Sequence, residues 1–124
     1  KGLYQLKPFP IYDSAKRLTS NMYIPGSLMC LSFHFKKPLK IGKGGMILTD
    51  SKEAVEHIKS MRYEGRSEGV CYHEDIIAEQ GWNMYMTPEQ AARGMILLSD
   101  YPENAEDQIE SPPYRDLTEF DLFK

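Results

Sequence analysis

Three side chains in the first third of the chain could together do carbonyl chemistry: Asp13, Ser32 and Lys37. A lysine supplies an amine that condenses with an aldehyde or ketone. A carboxylate such as Asp13 can keep a ring nitrogen protonated, so that the ring draws electrons away from a reacting carbon. A hydroxyl such as that of Ser32, beside backbone amides, binds phosphate. Asp13 ends the apolar run Phe9-Pro10-Ile11-Tyr12, Ser32 lies inside a second run, and Lys37 sits in the turn after it. Ligands gather at such strand ends in open α/β sheets. Residue types and distances alone are shared with many unrelated proteins, so plainer readings stand beside these. Lys37 suits a solvated turn, Asp13 a turn cap, and Ser32 a hydroxyl satisfied on a backbone carbonyl. His34, alternating with Ser32, fits a structural role as well as a functional one.

The elements that must position these residues can be read from local pattern. Phe9–Tyr12 reads as a buried strand end. Ser14 to Gly26, with Ser20, Asn21, Pro25 and Gly26, reads as loop. Ser27 to Phe35 is largely apolar, as in a strand buried on both faces. Lys36 to Gly45 is a turn region in which Gly42, Gly44 and Gly45 permit positive φ. Met46-Ile47-Leu48-Thr49 reads as another strand. Asp50 then caps a helix, with Glu53 in the capping-box position, and Ala54, Val55, Ile58 and Met61 share one face of it. Residues from Arg66 to Gly81 read as loop with some helix. Thr87, Pro88 and Gln90 form a strong helix start, and Ala91, Ala92, Met95, Leu97 and Leu98 continue it as a tightly packed helix. Met84 and Met86 read as packing residues. Beyond Asp100 the chain is acidic, with prolines at Pro102, Pro112 and Pro113, and reads as an extended tail over 101–124 anchored through Phe120, Leu122 and Phe123. The α/β unit over 1–100 has few elements with which to close two layers.

Composition narrows the classes. Apolar residues make up 41% of the 124 and aromatics 11%, enough for a core and against wholesale disorder. No window approaches the roughly 18 apolar residues of a membrane span, and Lys1 to Pro10 lacks the pattern of a leader. Cys30 and Cys71 fit no metal or redox spacing, so two reduced thiols in a cytoplasmic protein are expected. The net charge of −3 hides an uneven distribution. Up to Met46 the ionised residues are Lys1, Lys7, Lys16, Arg17, Lys36, Lys37, Lys40 and Lys43 against Asp13 alone. Such a stretch suits a phosphate-bearing partner, a solvated surface or an acidic neighbour. Gly42-Lys43-Gly44-Gly45 is not a nucleotide P-loop, because the spacing is wrong and no hydroxyl residue follows Lys43.

The wording of three segments is far more specific. Ser32-Phe33-His34-Phe35-Lys36-Lys37, followed by Gly42-Lys43-Gly44-Gly45-Met46, closely resembles the lysine motif of the DegT/DnrJ/EryC1/StrS aminotransferases. Ile11-Tyr12-Asp13-Ser14-Ala15 resembles that family's strand and Asp-Ala-Ala stretch, and Gly81-Trp82-Asn83 through Gln90-Ala91-Ala92 its Gly-x-Asn segment. The resemblance implies part of the large domain of a fold-type I enzyme dependent on pyridoxal 5'-phosphate. It implies that Lys37 forms the Schiff base, that Asp13 pairs with the pyridinium nitrogen, and that Ser32 binds the phosphate. Asn83 would reach the phosphate of a partner subunit's cofactor in a homodimer. Lys16 replaces the glutamine usual beside the cofactor's phenolic oxygen, and Tyr85 an arginine common two residues after the Asn.

Family members transfer an amino group, commonly from glutamate, to a nucleotide-linked keto sugar. They are longer, with a phosphate loop and a ring-stacking aromatic ahead of these motifs, so a fragment completed by an N-terminal portion is expected. The alternatives are a non-catalytic remnant acting as a dimerisation or interaction module and, last, a basic nucleic-acid-binding module. The third is disfavoured because no stacking aromatics interleave with the lysines in a recognisable motif.

Overall fold

The short apolar runs become strands, and the two capped stretches become helices. The computed structural model describes residues 2–77, 79–109 and 115–123. Its elements are β1 (Tyr4–Gln5), β2 (Ile11–Asp13), β3 (Leu28–Ser32), β4 (Gly45–Leu48), α1 (Lys52–Arg62) and α2 (Pro88–Ser99), followed by two single 3₁₀ turns at Leu117–Glu119 and Asp121–Phe123. The strands form one sheet in the order β1-β2-β3-β4. β2 and β3 run parallel, and the outer pairs are antiparallel. The chain is therefore mixed α/β.

A parallel pair needs a long crossover, usually a helix. Here residues 14–27 make it as irregular chain, tied down by hydrogen bonds. Ser14 donates its N–H to the Cys30 carbonyl at 2.9 Å, and Leu28 its own to Pro10 at 2.9 Å. The Ser27 hydroxyl donates to the Ile24 carbonyl at 2.6 Å, and the Ile24 N–H reaches the Met29 sulfur at 3.3 Å. Asp50 is recruited to the same turn, where it accepts the Gly26 N–H at 3.0 Å. Asp50 is thus tied to the crossover, and Ser51 caps α1 instead, its side chain accepting the Ala54 N–H. The expected Asp50 cap is corrected by one residue.

β3 is shorter than its apolar run and is not buried on both faces. Met29 is fully buried, but Leu28, Cys30, Leu31 and Ser32 are only half-buried. Among the described residues no helix lies across the sheet, whose strands contact one another. The buried cluster lies past the end of β3, where Phe33, Leu39 and Ile41 gather with Leu18, Leu31, Met86, Leu97 and Tyr101 around them.

Helix α2 begins as its sequence dictates, with Thr87 and Gln90 exchanging hydrogen bonds in a capping box and Pro88 in the first turn. It is not tightly packed. Gly94 is its buried residue, and a Cβ there would lie 2.6 Å from Ile41 Cδ1. Gln90, Gly94, Leu97 and, just past the helix, Tyr101 form one narrow stripe toward the core. Ala91, Met95 and Leu98 form the next, and they are exposed, Met95 to 75%. In α1 the expected face of Ala54, Val55, Ile58 and Met61 is half-buried, while Lys52, Glu56 and Lys59 are exposed. Between the helices the described residues contain no further helix.

The segment after α2 returns to the body of the chain. Glu103 accepts the Ser20 N–H at 2.7 Å and the Thr19 hydroxyl at 3.0 Å. Asp107 takes Arg17 through both of its oxygens, at 2.8 and 2.7 Å, and also accepts the Gly2 N–H at 2.8 Å. The anchor is thus Asp107. Phe120, Leu122 and Phe123, expected to serve, are 38%, 87% and 55% exposed, and the Ser111-Pro112-Pro113 stretch lies outside the described residues.

The Arg17 guanidinium holds the Asp107 carboxyl well below the usual carboxylate range. A depressed acid stabilises the folded state above its unfolded pKa of about 3.9, and that contribution drains away as pH falls further. Docking of residues 103–108 should therefore be flat from neutral pH down to about 4 and weaken below it. Asp107→Asn should loosen it at pH 7 by about 2 kcal/mol, or roughly 30-fold in the opening equilibrium. Hydrogen exchange at Ser20 and Gln108 as a function of pH measures this.

Candidate active site

β2 and β3 run parallel, so both end at the same edge of the sheet, and each places one of the expected residues there. Asp13 ends β2 opposite Cys30 of β3. Paired residues point to the same face, and so do residues two apart on one strand. Asp13, Cys30 and Ser32 therefore share a face, with Tyr4 beside Asp13 on β1. These side chains, with Leu6, Ile11 and others, line an open concavity of about 470 Å³. Lys16, Lys37 and Asn83 are not in its lining.

Asp13 is exposed, and its Oδ1 accepts the Ala15 N–H at 2.9 Å. The turn-capping role is thus real, yet it occupies one oxygen and leaves Oδ2 without a hydrogen bond among the described residues. The Ser32 hydroxyl accepts the His34 N–H at 3.4 Å, so its own proton remains to be donated. Burial, reinforced by the charge of Asp13, pushes the Cys30 thiol up from its ordinary value. The thiol is thus held toward its neutral form, the less nucleophilic one.

Lys37 closes a turn, donating its N–H to the His34 carbonyl at 2.8 Å, and is half-buried. The loop that holds it is cinched at its base. The Phe33 N–H reaches the Gly44 carbonyl at 2.9 Å, and the Gly42 N–H returns to Phe33 at 2.8 Å. Leu39 and Ile41, 5% and 7% exposed, pin the loop from inside. Its glycines have separate reasons. Gly44 has φ +94°. Gly45 lies opposite Ser32, and a Cβ there would sit 2.4 Å from the Leu31 carbonyl oxygen.

Asn83 sits elsewhere. It bridges Tyr63 just past α1, and its amide donates to Glu64 Oε1 at 3.0 Å. Tyr85 packs its ring against Tyr63 at 5.3 Å, and Met86 joins the core while Met84 is 72% exposed. Lys16 is half-buried, and its carbonyl accepts the Gln108 N–H at 2.9 Å. Sequence reasoning missed Cys30 as a lining residue, although its spacing from Ser32 was a usable signal. It also missed Arg17, Asp107 and Gln108, whose contacts span 72 to 105 residues and leave no local trace.

Residues 23–114 match the DegT/DnrJ/EryC1/StrS aminotransferase family. An uncharacterised protein of Methanocaldococcus jannaschii is 37% identical over 82 residues, covering 59% of this chain and 21% of that protein. The UDP-4-amino-4,6-dideoxy-N-acetyl-beta-L-altrosamine transaminase of Campylobacter jejuni serotype O:2 is 26% identical over 113 residues, covering 86% of this chain and 30% of that enzyme. Its counterpart from serotype O:23/36 matches to the same extent. The chain thus spans between a fifth and a third of the length of these relatives.

Proposed function

The chain belongs to the DegT/DnrJ/EryC1/StrS aminotransferase family, and from that premise we propose that it carries the cofactor-lysine part of a sugar aminotransferase dependent on pyridoxal 5'-phosphate. The fold is then part of the large domain of a fold-type I enzyme. The reaction moves an amino group from an amino acid such as glutamate to a keto sugar linked to a nucleotide. The observation that carries this reading is the shared strand-end face of Asp13 and Ser32, reached by a chain whose lysine motif matches the family.

Asp13 and Ser32, together on one face of the concavity, have the chemistry that the cofactor's ring nitrogen and phosphate require. A concavity of about 470 Å³ is within the size range of small-molecule sites. The cofactor, when bound, supplies an aldehyde that condenses with amines and a ring that stabilises charge on the adjoining carbon. Asp13 would accept the ring N–H and keep that nitrogen charged, and Ser32 would donate its hydroxyl proton to a phosphate oxygen. Lys37 would contribute the amine and serve as the group that takes up and returns a proton. Lys16 would place a cation where most of the family has a neutral amide beside the phenolic oxygen. Asn83, remote from the concavity, acts toward the phosphate in a partner subunit of a homodimer.

The exposed Met95 and Leu98 stripe favours one second reading, an interaction module without catalysis. The two separate on glutamate. Cofactor-loaded protein should release oxoglutarate from glutamate, about one equivalent per chain, with no sugar present. Loaded protein that releases none would refute the aminotransferase reading.

A further inference from the structure

We infer that Gln108 is a positioning residue for Lys37, tying the segment that follows Asp13 to the turn that presents the lysine. This rests on the assignment of Lys37 as the reactive lysine. Gln108 makes two contacts with two different parts of the site. Its backbone N–H donates to the Lys16 carbonyl at 2.9 Å, three residues past Asp13. Its side-chain Nε2 donates to the Lys36 carbonyl at 2.6 Å, and that carbonyl belongs to the peptide whose N–H is Lys37's own. The same N–H donates to His34. The peptide between Lys36 and Lys37 is therefore held from both sides, and its plane sets where the lysine side chain leaves the backbone. Asp107, beside Gln108, fixes the strap on Arg17 and Gly2, so the glutamine is itself anchored. No other element described bonds both the Lys16 carbonyl and the Lys36 carbonyl.

A misplaced reacting group is costly, since small displacements erode most of the advantage of a held geometry. Without the Nε2 bond the 36–37 peptide is held only through the Lys37 N–H on His34, and Lys37 samples a wider range of positions. The fold is spared, because the Asp107 contacts and the backbone bond to Lys16 remain.

The test uses Gln108→Met, which keeps the stem and removes the donor, and Gln108→Arg, which restores a donor. Each full chain is treated with pyridoxal phosphate, fixed with borohydride and mapped by peptide mass, with circular dichroism as the folding control. In the unmodified chain the label should concentrate on Lys37 over Lys36 and Lys40. Gln108→Met should lower that preference roughly 3- to 10-fold and speed exchange of the Lys37 amide about 10-fold, and Gln108→Arg should recover part of both. A Lys37 preference unchanged in Gln108→Met, with exchange also unchanged, would overturn the role of Gln108 alone. A label spread evenly over the three lysines in the unmodified chain would overturn the Lys37 assignment, and this role with it.

Discussion

Replacing Lys37 with Ala or Arg is expected to lower covalent capture of pyridoxal phosphate by at least about 100-fold at that loop. An amine held next to a bound aldehyde reacts as though at very high concentration, whereas a free surface lysine reacts at the bulk rate. Lys36 and Lys40 are exposed on the same loop and supply the comparison within one molecule. Lys37 differs from them in being half-buried and in having its N–H fixed on His34. The Arg variant separates chemistry from charge, because a guanidinium keeps the cation but does not condense with a carbonyl. Covalent capture retained in Lys37→Arg would mean that another amine, not Lys37, condenses with the cofactor.

Gly45→Ala should cost about 3 kcal/mol and lower the melting midpoint by roughly 12 °C. The new Cβ would meet the Leu31 carbonyl oxygen at 2.4 Å, a contact of backbone with backbone that no rotamer relieves. Gly45 pairs with Ser32, and the ladder continues through Met46 with Leu31 and Ile47 with Cys30. Opening it therefore displaces the strand that carries Ser32 and leads into the Lys37 loop. Lys43→Ala, at an exposed position two residues earlier, should leave the midpoint within about 2 °C. Thermal unfolding of the two variants side by side decides the matter. Equal midpoints would show that the close approach is not maintained in solution.

What could be read from the sequence follows the range of the interactions. The α2 start was legible because Thr87, Pro88 and Gln90 settle it within four residues. The strand end at Asp13 was legible because a polar residue closes an apolar run, whereas the end of β3 at Ser32 was not, because the apolar pattern continues through Phe33 and Phe35. The cap of α1 was misplaced because Gly26, 24 residues away, claims Asp50. Burial was over-read in β3 and α2 for a shared reason. An apolar pattern says which face is available to be covered, but not whether anything covers it. The return of residues 103–108 was invisible, since Asp107 and Gln108 find partners 72 to 105 residues distant and an acidic stretch after a helix reads as solvated chain. At the candidate site, the family resemblance singled out Asp13, Ser32 and Lys37, which residue pattern alone left ambiguous, while the ties that hold the Lys37 turn emerge only in three dimensions.

The proposed function requires a working lysine site for pyridoxal phosphate in this chain. Its most direct test is the visible absorption spectrum of the chain after incubation with the cofactor and desalting, beside Lys37→Ala. The account predicts a visible band that survives desalting, disappears on reduction with borohydride, and is missing from the variant. A band of equal strength in both proteins, or none in either, would contradict it.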